Sequence, residues 1–190
     1  MILYPTKKTA EVFGAPMADS ATDPVLTPVI NAVLNAEKGN GLQEWGLKLF
    51  YLQGKKCLQA IHFASHFTVV LFDVRKADLP ETANRIAMTV FDAFDGEPET
   101  QEALAGLFRK GPISVWDRLQ NKSVLSSLNR NESMLLTNWG FYESFAAKGK
   151  LNPKEVHKFI NFEYPVSLHF RGSSRYGYTG EVLRELAETV

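Results

Sequence analysis

The stretch that most constrains this chain runs from Trp45 to Val74, WGLKLFYLQGKKCLQAIHFASHFTVVLFDV. Three apolar segments lie there in a row, split by Gln53-Gly54-Lys55 and by Ala64-Ser65-His66. A period of two puts Trp45, Leu47, Leu49 and Tyr51 on one face of a first strand and Gly46, Lys48, Phe50 and Leu52 on the other. In the second segment Cys57, Gln59, Ile61 and Phe63 alternate with Leu58, Ala60 and His62. The third, Phe67 to Val74, is almost continuously apolar, a pattern that predicts a strand buried on both faces and placed centrally. Breaks this short join antiparallel neighbours. The region therefore reads as an antiparallel meander whose third pass is innermost.

The flanks add helices. Thr6 caps a short one that runs to Phe13 and stops at Gly14, after a strand at Ile2-Leu3-Tyr4 closed by Pro5. Thr27-Pro28 predicts another start, with Val29, Ile30, Val33 and Leu34 on one stripe and Lys38-Gly39 at the end. Asp78-Leu79-Pro80-Glu81 reads as a capping box with Asp78 as cap, leading to Ala83, Ile86, Val90, Phe91 and Phe94 on one face. A helix from Pro98 to Lys110 and a strand from Ile113 to Leu119 follow. Ser123 to Leu128 reads as a helical turn, interrupted at Asn129-Arg130-Asn131 and continued as a helix from Glu132 to Ala147. Asn152-Pro153 opens a further helix. Val166 to Phe170 alternates as a strand, Gly172 to Gly177 reads as a loop, and Thr179 to Val190 as an amphipathic helix.

These elements predict an α+β fold. An antiparallel meander sheet of about four to six strands carries helices on one face, with a helical C-terminal flank. At 190 residues the chain is read as a single domain, 1–190. Lys plus Arg and Asp plus Glu are 21 each, so the net charge is zero. That balance disfavours non-specific nucleic-acid binding, which needs surplus cations to displace counterions. It also removes the self-repulsion that keeps copies apart. No apolar run reaches the length of a membrane span, and the lysines of the N-terminus follow its short apolar start, so cytoplasmic residence is expected.

The order of the pieces resembles an uncharacterised bacterial domain family of unknown function. The resemblance is carried by Thr6-Lys7-Lys8, the Trp45 to Phe50 strand, Lys56-Cys57-Leu58, Phe67 to Leu71, the Lys76 to Leu79 helix entry, and Lys122-Ser123-Val124-Leu125-Ser126-Ser127-Leu128-Asn129. Where the family more often carries Thr-Arg-Tyr, this chain has Ser65-His66-Phe67. The likeness covers roughly residues 1–129, which makes 130–190 a mainly helical extension. It implies no activity.

Candidate chemistry is sparse. His62 and His66 are four apart, about 13 Å on a strand and too far for one metal ion, and only a tight turn at Ala64-Ser65 would bring them together. Cys57 is the one cysteine; it sits on an alternating face and reads as a small buried hydrophobe. The acidic run Asp92, Asp95, Glu97, Glu99 and Glu102 lacks calcium-loop spacing and fits a solvated helix start. No cofactor or metal site is predicted. The most suggestive segment runs from Arg171 to Tyr178. Arg171, Arg175, Tyr176 and Tyr178 combine two guanidinium groups with two rings, a composition suited to holding a phosphate or stacking a base. Arg118, Lys122 and Arg130 extend that surface if the fold brings them near.

Three functions stay open from the residues. The first is a non-catalytic interaction module, with a homo-oligomer or a protein as partner and no membrane. The second is nucleic-acid or phosphate-ligand binding through the Arg171–Tyr178 loop. The third is a small hydrolase or transferase assembled from distant residues such as Cys57, His62, His66 or His169.

Overall fold

The computed structural model describes residues 1–109, 113–170 and 173–189. Strand β1 (Ile2–Pro5) is followed by helix α1 (Lys7–Phe13), capped by Thr6 and closed by Gly14 at φ 62°. Helix α2 (Leu26–Glu37) precedes the strands β2 (Glu44–Leu52), β3 (Lys55–His62) and β4 (Thr68–Leu71). A 3₁₀ turn at Lys76–Glu81 leads into α3 (Thr82–Ala93), then α4 (Pro98–Arg109) and β5 (Val115–Trp116). Helix α5 (Lys122–Asn131) continues into a π-helical turn, Glu132–Leu136, and α6 (Trp139–Glu143). A small hairpin, β6 (Ala146–Ala147) with β7 (Lys150–Leu151), precedes α7 (Pro153–Lys158) and a second π turn, Phe159–Glu163. The hairpin β8 (Val166–Phe170) and β9 (Ser173–Gly177) and helix α8 (Thr179–Ala187) complete the α+β fold.

The meander forms as its pattern predicts. Gln53 and Gly54 join β2 to β3 in a two-residue turn with both φ values positive, 49° and 77°, the geometry that matches strand twist. The sheet order is β4-β3-β2-β1-β5. Two expectations change here. The sheet is mixed rather than antiparallel, because β1 inserts beside β2 and pairs parallel with both β2 and β5. The third pass, β4, lies at the edge rather than at the centre. Its apolar run reports that both of its faces are covered, which is a different property from its position in the sheet.

Helices cover both faces, where the sequence predicted one. On the first, Leu3, Trp45, Leu47, Leu58, Ala60 and Val69 pack with Phe13 of α1, Ile86 and Val90 of α3, Leu104 of α4 and Leu183 of α8. Arg184 ties α8 down, donating from Nε and an Nη to the two carboxylate oxygens of Glu97 at 2.9 and 2.8 Å. On the second face Phe50, Cys57 and Val70 meet Leu136, Tyr142, Val156 and Ile160, while Ile61 meets Val124 and Leu128. Gly46 allows α5 to approach this closely, since a Cβ there would collide with the Val124 side chain. The C-terminal segment is thus a layer over the sheet rather than a flank.

Several caps also move. Asp23 rather than Thr27 starts α2, its carboxylate accepting from the N–H groups of Val25 and Leu26 at 2.8 and 3.2 Å. Pro28 still falls in the first turn, where a missing N–H has no partner to lose. Asp78 accepts from the Arg75 N–H at 2.7 Å, so it closes a 3₁₀ turn and α3 begins later, at Thr82. The strand expected from Ile113 shrinks to two residues, and the loop expected before Gly177 pairs as β9.

Candidate functional site

Helix α2 lies at the margin of the fold. None of its residues is buried, and it packs against β1 and β5 at one end of the sheet. Yet it carries Leu26, Val29, Ile30, Val33 and Leu34. Val25, Leu26 and Val29 are 74%, 55% and 38% exposed. Ile30, Val33 and Leu34 of the predicted stripe are half-buried, while Leu26 and Val29 are left facing water.

At the C-terminal end of α2 the chain turns through Gly39 and Gly41, at φ 89° and 75°. Asn40 holds this turn, its Oδ1 accepting from the Leu42 and Gln43 N–H groups. Below lies a pocket of about 390 Å³, lined by Tyr4, Glu44, Phe63, Lys38, Arg118 and Asn121 among others. Parity and register assemble its floor. Ile2 pairs with Glu44 and Tyr4 with Gly46, and the Phe63 N–H donates to the Glu44 carbonyl at 2.9 Å. Tyr4, Glu44 and Phe63 therefore project from neighbouring strands to the same face. The Tyr4 and Phe63 rings stack at 5.0 Å.

Glu44 is 4% exposed. Its Oε1 accepts from the Tyr4 hydroxyl at 2.7 Å and its Oε2 from the Gly41 N–H at 2.8 Å. Burial, and then the Glu44 hydrogen bond, hold the Tyr4 phenol far above its ordinary range, so it remains a donor. At the rim, Lys38 pairs with Asp117 at 2.7 Å and Arg118 with Asp19 at 2.6 Å.

The residues singled out from sequence are placed as follows. Arg171 and the side chain of Arg175 lie outside the described residues; the Arg175 backbone pairs with Leu168 in the β8–β9 hairpin. Tyr176 is 81% exposed and Tyr178 half-buried just before α8. Arg118 lines the pocket described above, and Arg130 lines a narrow crevice with His66, Ser127 and Tyr164. The His169 side chain also lies outside the described residues.

Cys57 and His62 occupy opposite faces of β3, so no nucleophile–base pair forms between them. Cys57 is buried with Phe50 and Val70, and burial raises its thiol pKa, as fits a packing residue. His62 sits between the Leu42 carbonyl, 3.0 Å from Nε2, and the Ser65 hydroxyl, 2.8 Å from Nδ1. The carbonyl can only accept, which assigns the proton to Nε2. Burial lowers this histidine to about 4. His66, in the left-handed region at φ 59°, has Nδ1 3.1 Å from the Ser127 hydroxyl. Among the described residues no three His, Cys, Asp or Glu side chains gather in metal-binding geometry.

Sequence reasoning missed Tyr4, Lys38 and Glu44, and also His157 and Asn161, whose side chains bond the backbone of β4. No local pattern marks them, since each acquires its partners from elements far along the chain.

A family model described as Domain of unknown function (DUF6933) matches residues 2–181. The match runs well past Asn129, so the C-terminal layer belongs to the shared pattern instead of extending it. No curated protein matches the chain. Among the described residues no helix is long and apolar enough to cross a membrane.

Proposed function

The chain belongs to the DUF6933 family, and for this member we propose the role of a non-catalytic interaction module of the cytoplasm, joined to a second copy of itself through α2. The observation that carries this reading is the pair Leu26 and Val29 on α2, exposed beside a stripe of Ile30, Val33 and Leu34 that is only half-buried. Fully covering an exposed aliphatic side chain is worth about 1.5–3 kcal/mol, and covering the exposed parts of Leu26 and Val29 favours association by a share of that. A second copy suits the surface because the net charge is zero, leaving little repulsion between like chains. A two-fold contact would set the same patch against itself.

Sedimentation equilibrium tests it. The intact chain is expected to run as a dimer or larger. Leu26→Asp with Val29→Asp should give a monomer of unchanged far-ultraviolet circular dichroism. A wild-type chain that stays monomeric at high concentration overturns the proposal.

One observation favours a second reading, nucleic-acid or phosphate binding through the Arg171–Tyr178 segment. Tyr176 presents an 81% exposed side chain, the form a base-stacking residue takes. Binding of a single-stranded oligonucleotide should then fall with salt and on Tyr176→Ala, or on Arg171→Ala with Arg175→Ala. Binding indifferent to both excludes this segment.

A further inference from the structure

We propose that the pocket between the end of α2 and the start of α5 binds an organic cation, an ammonium or guanidinium group on a short chain. The proposal begins with Glu44. This carboxylate lines the pocket and is 96% buried by the complement of its 4% exposure. A charge so far from water normally meets an opposite charge or several strong donors. Among the described residues Glu44 meets only two donors, both neutral, the Tyr4 hydroxyl and the Gly41 N–H. A carboxylate offers about four acceptor sites, so half of its capacity stays unused. None of the ion pairs among the described residues involves Glu44.

The other charges of the pocket are already matched. Lys38 is held by Asp117, and Arg118 by Asp19. The N-terminus of α5, which would favour an anion, is occupied by Asn121, whose Oδ1 accepts from the Val124 N–H at 3.0 Å. The unmatched charge is therefore negative. An ammonium brings donors without acceptors, and a guanidinium brings them in a plane. The stacked Tyr4 and Phe63 rings supply an aromatic wall that also attracts cations. A volume of about 390 Å³ admits a chain of several heavy atoms beyond the charged head. The site stands on residues separate from the exposed Leu26 and Val29 of α2, so it holds or fails independently of self-association.

The test is an amide-resolved NMR titration with n-butylammonium chloride, against sodium butyrate and n-butanol at constant ionic strength. Butylammonium is expected to give saturable shifts at Gly41, with butanol and butyrate inert. Glu44→Gln should weaken butylammonium at least tenfold. Arg118→Ala, at an exposed position, should tighten it several-fold by removing a rim cation and freeing Asp19. Saturation by butyrate instead, an affinity unchanged in Glu44→Gln, or no saturable shift from any probe overturns the proposal. If Glu44→Gln loses its fold, the Arg118→Ala arm decides: no tightening counts as failure.

Discussion

His62 and His157 are held as neutral rings by burial. His157 Nε2 lies 2.9 Å from the Val70 N–H and 3.1 Å from the Val70 carbonyl. Burial lowers each ring from 6.5 to about 4. Between those values the unfolded chain binds protons that the folded chain refuses. Stability is therefore full above pH 6.5 and declines as pH falls toward 4. At pH 5 the loss is about 2 kcal/mol per histidine. Urea unfolding at pH 7 and pH 5 should show the midpoint drop, and His157→Gln should flatten that dependence. Equal midpoints for the intact chain would mean that the rings are not buried as neutral groups. Cys57 was legible as a packing residue because its neighbours in the strand pattern share its face. Glu44 was not, because the donors that hold it, Tyr4 and Gly41, belong to another strand and to a turn.

Element β4 shows why an edge strand can look central. Its N–H and C=O groups at Thr68 and Val70 point away from β3, toward open space, where a further strand would pair. Helix α7 and its π turn fill that place with side chains. Asn161 Oδ1 accepts from the Thr68 N–H and the Thr179 hydroxyl, both at 2.8 Å. Its amide group donates to the Thr68 and His157 carbonyls at 2.8 and 2.9 Å. All four hydrogen-bonding capacities of this fully buried amide are used. The spacing works because four residues rise about 6 Å on a helix and two residues span about 6.6 Å on a strand. Asn161→Ala is expected to cost about 3 kcal/mol by orphaning buried groups. It should also speed hydrogen exchange at the Thr68 and Val70 amides; unchanged protection there would show that the cap does not hold the edge. The helix at Asn152-Pro153 was legible from its own cap and proline. Its role as a surrogate strand was not, since nothing in a cap specifies the element against which a helix lies.

At the scale of the molecule, the sheet is a layer between two helical layers, and the second of these comes from the C-terminal third of the chain. A fragment ending at Asn129 would expose Phe50, Cys57 and Val70 and uncover the β4 edge. Such a fragment is expected to be insoluble or to lack cooperative unfolding in circular dichroism. A cooperative transition near that of the full chain would show that the C-terminal layer is dispensable. Residues 45 to 74 announced their strands, their hairpin turn and the inward face of each pass, because period and turn chemistry are local properties of the backbone. Where β1 inserts, which way it runs, which pass ends at the edge and which acid meets which phenol emerged only in three dimensions. Alternation records that a face is covered; it carries no information about direction, order or the identity of what covers it.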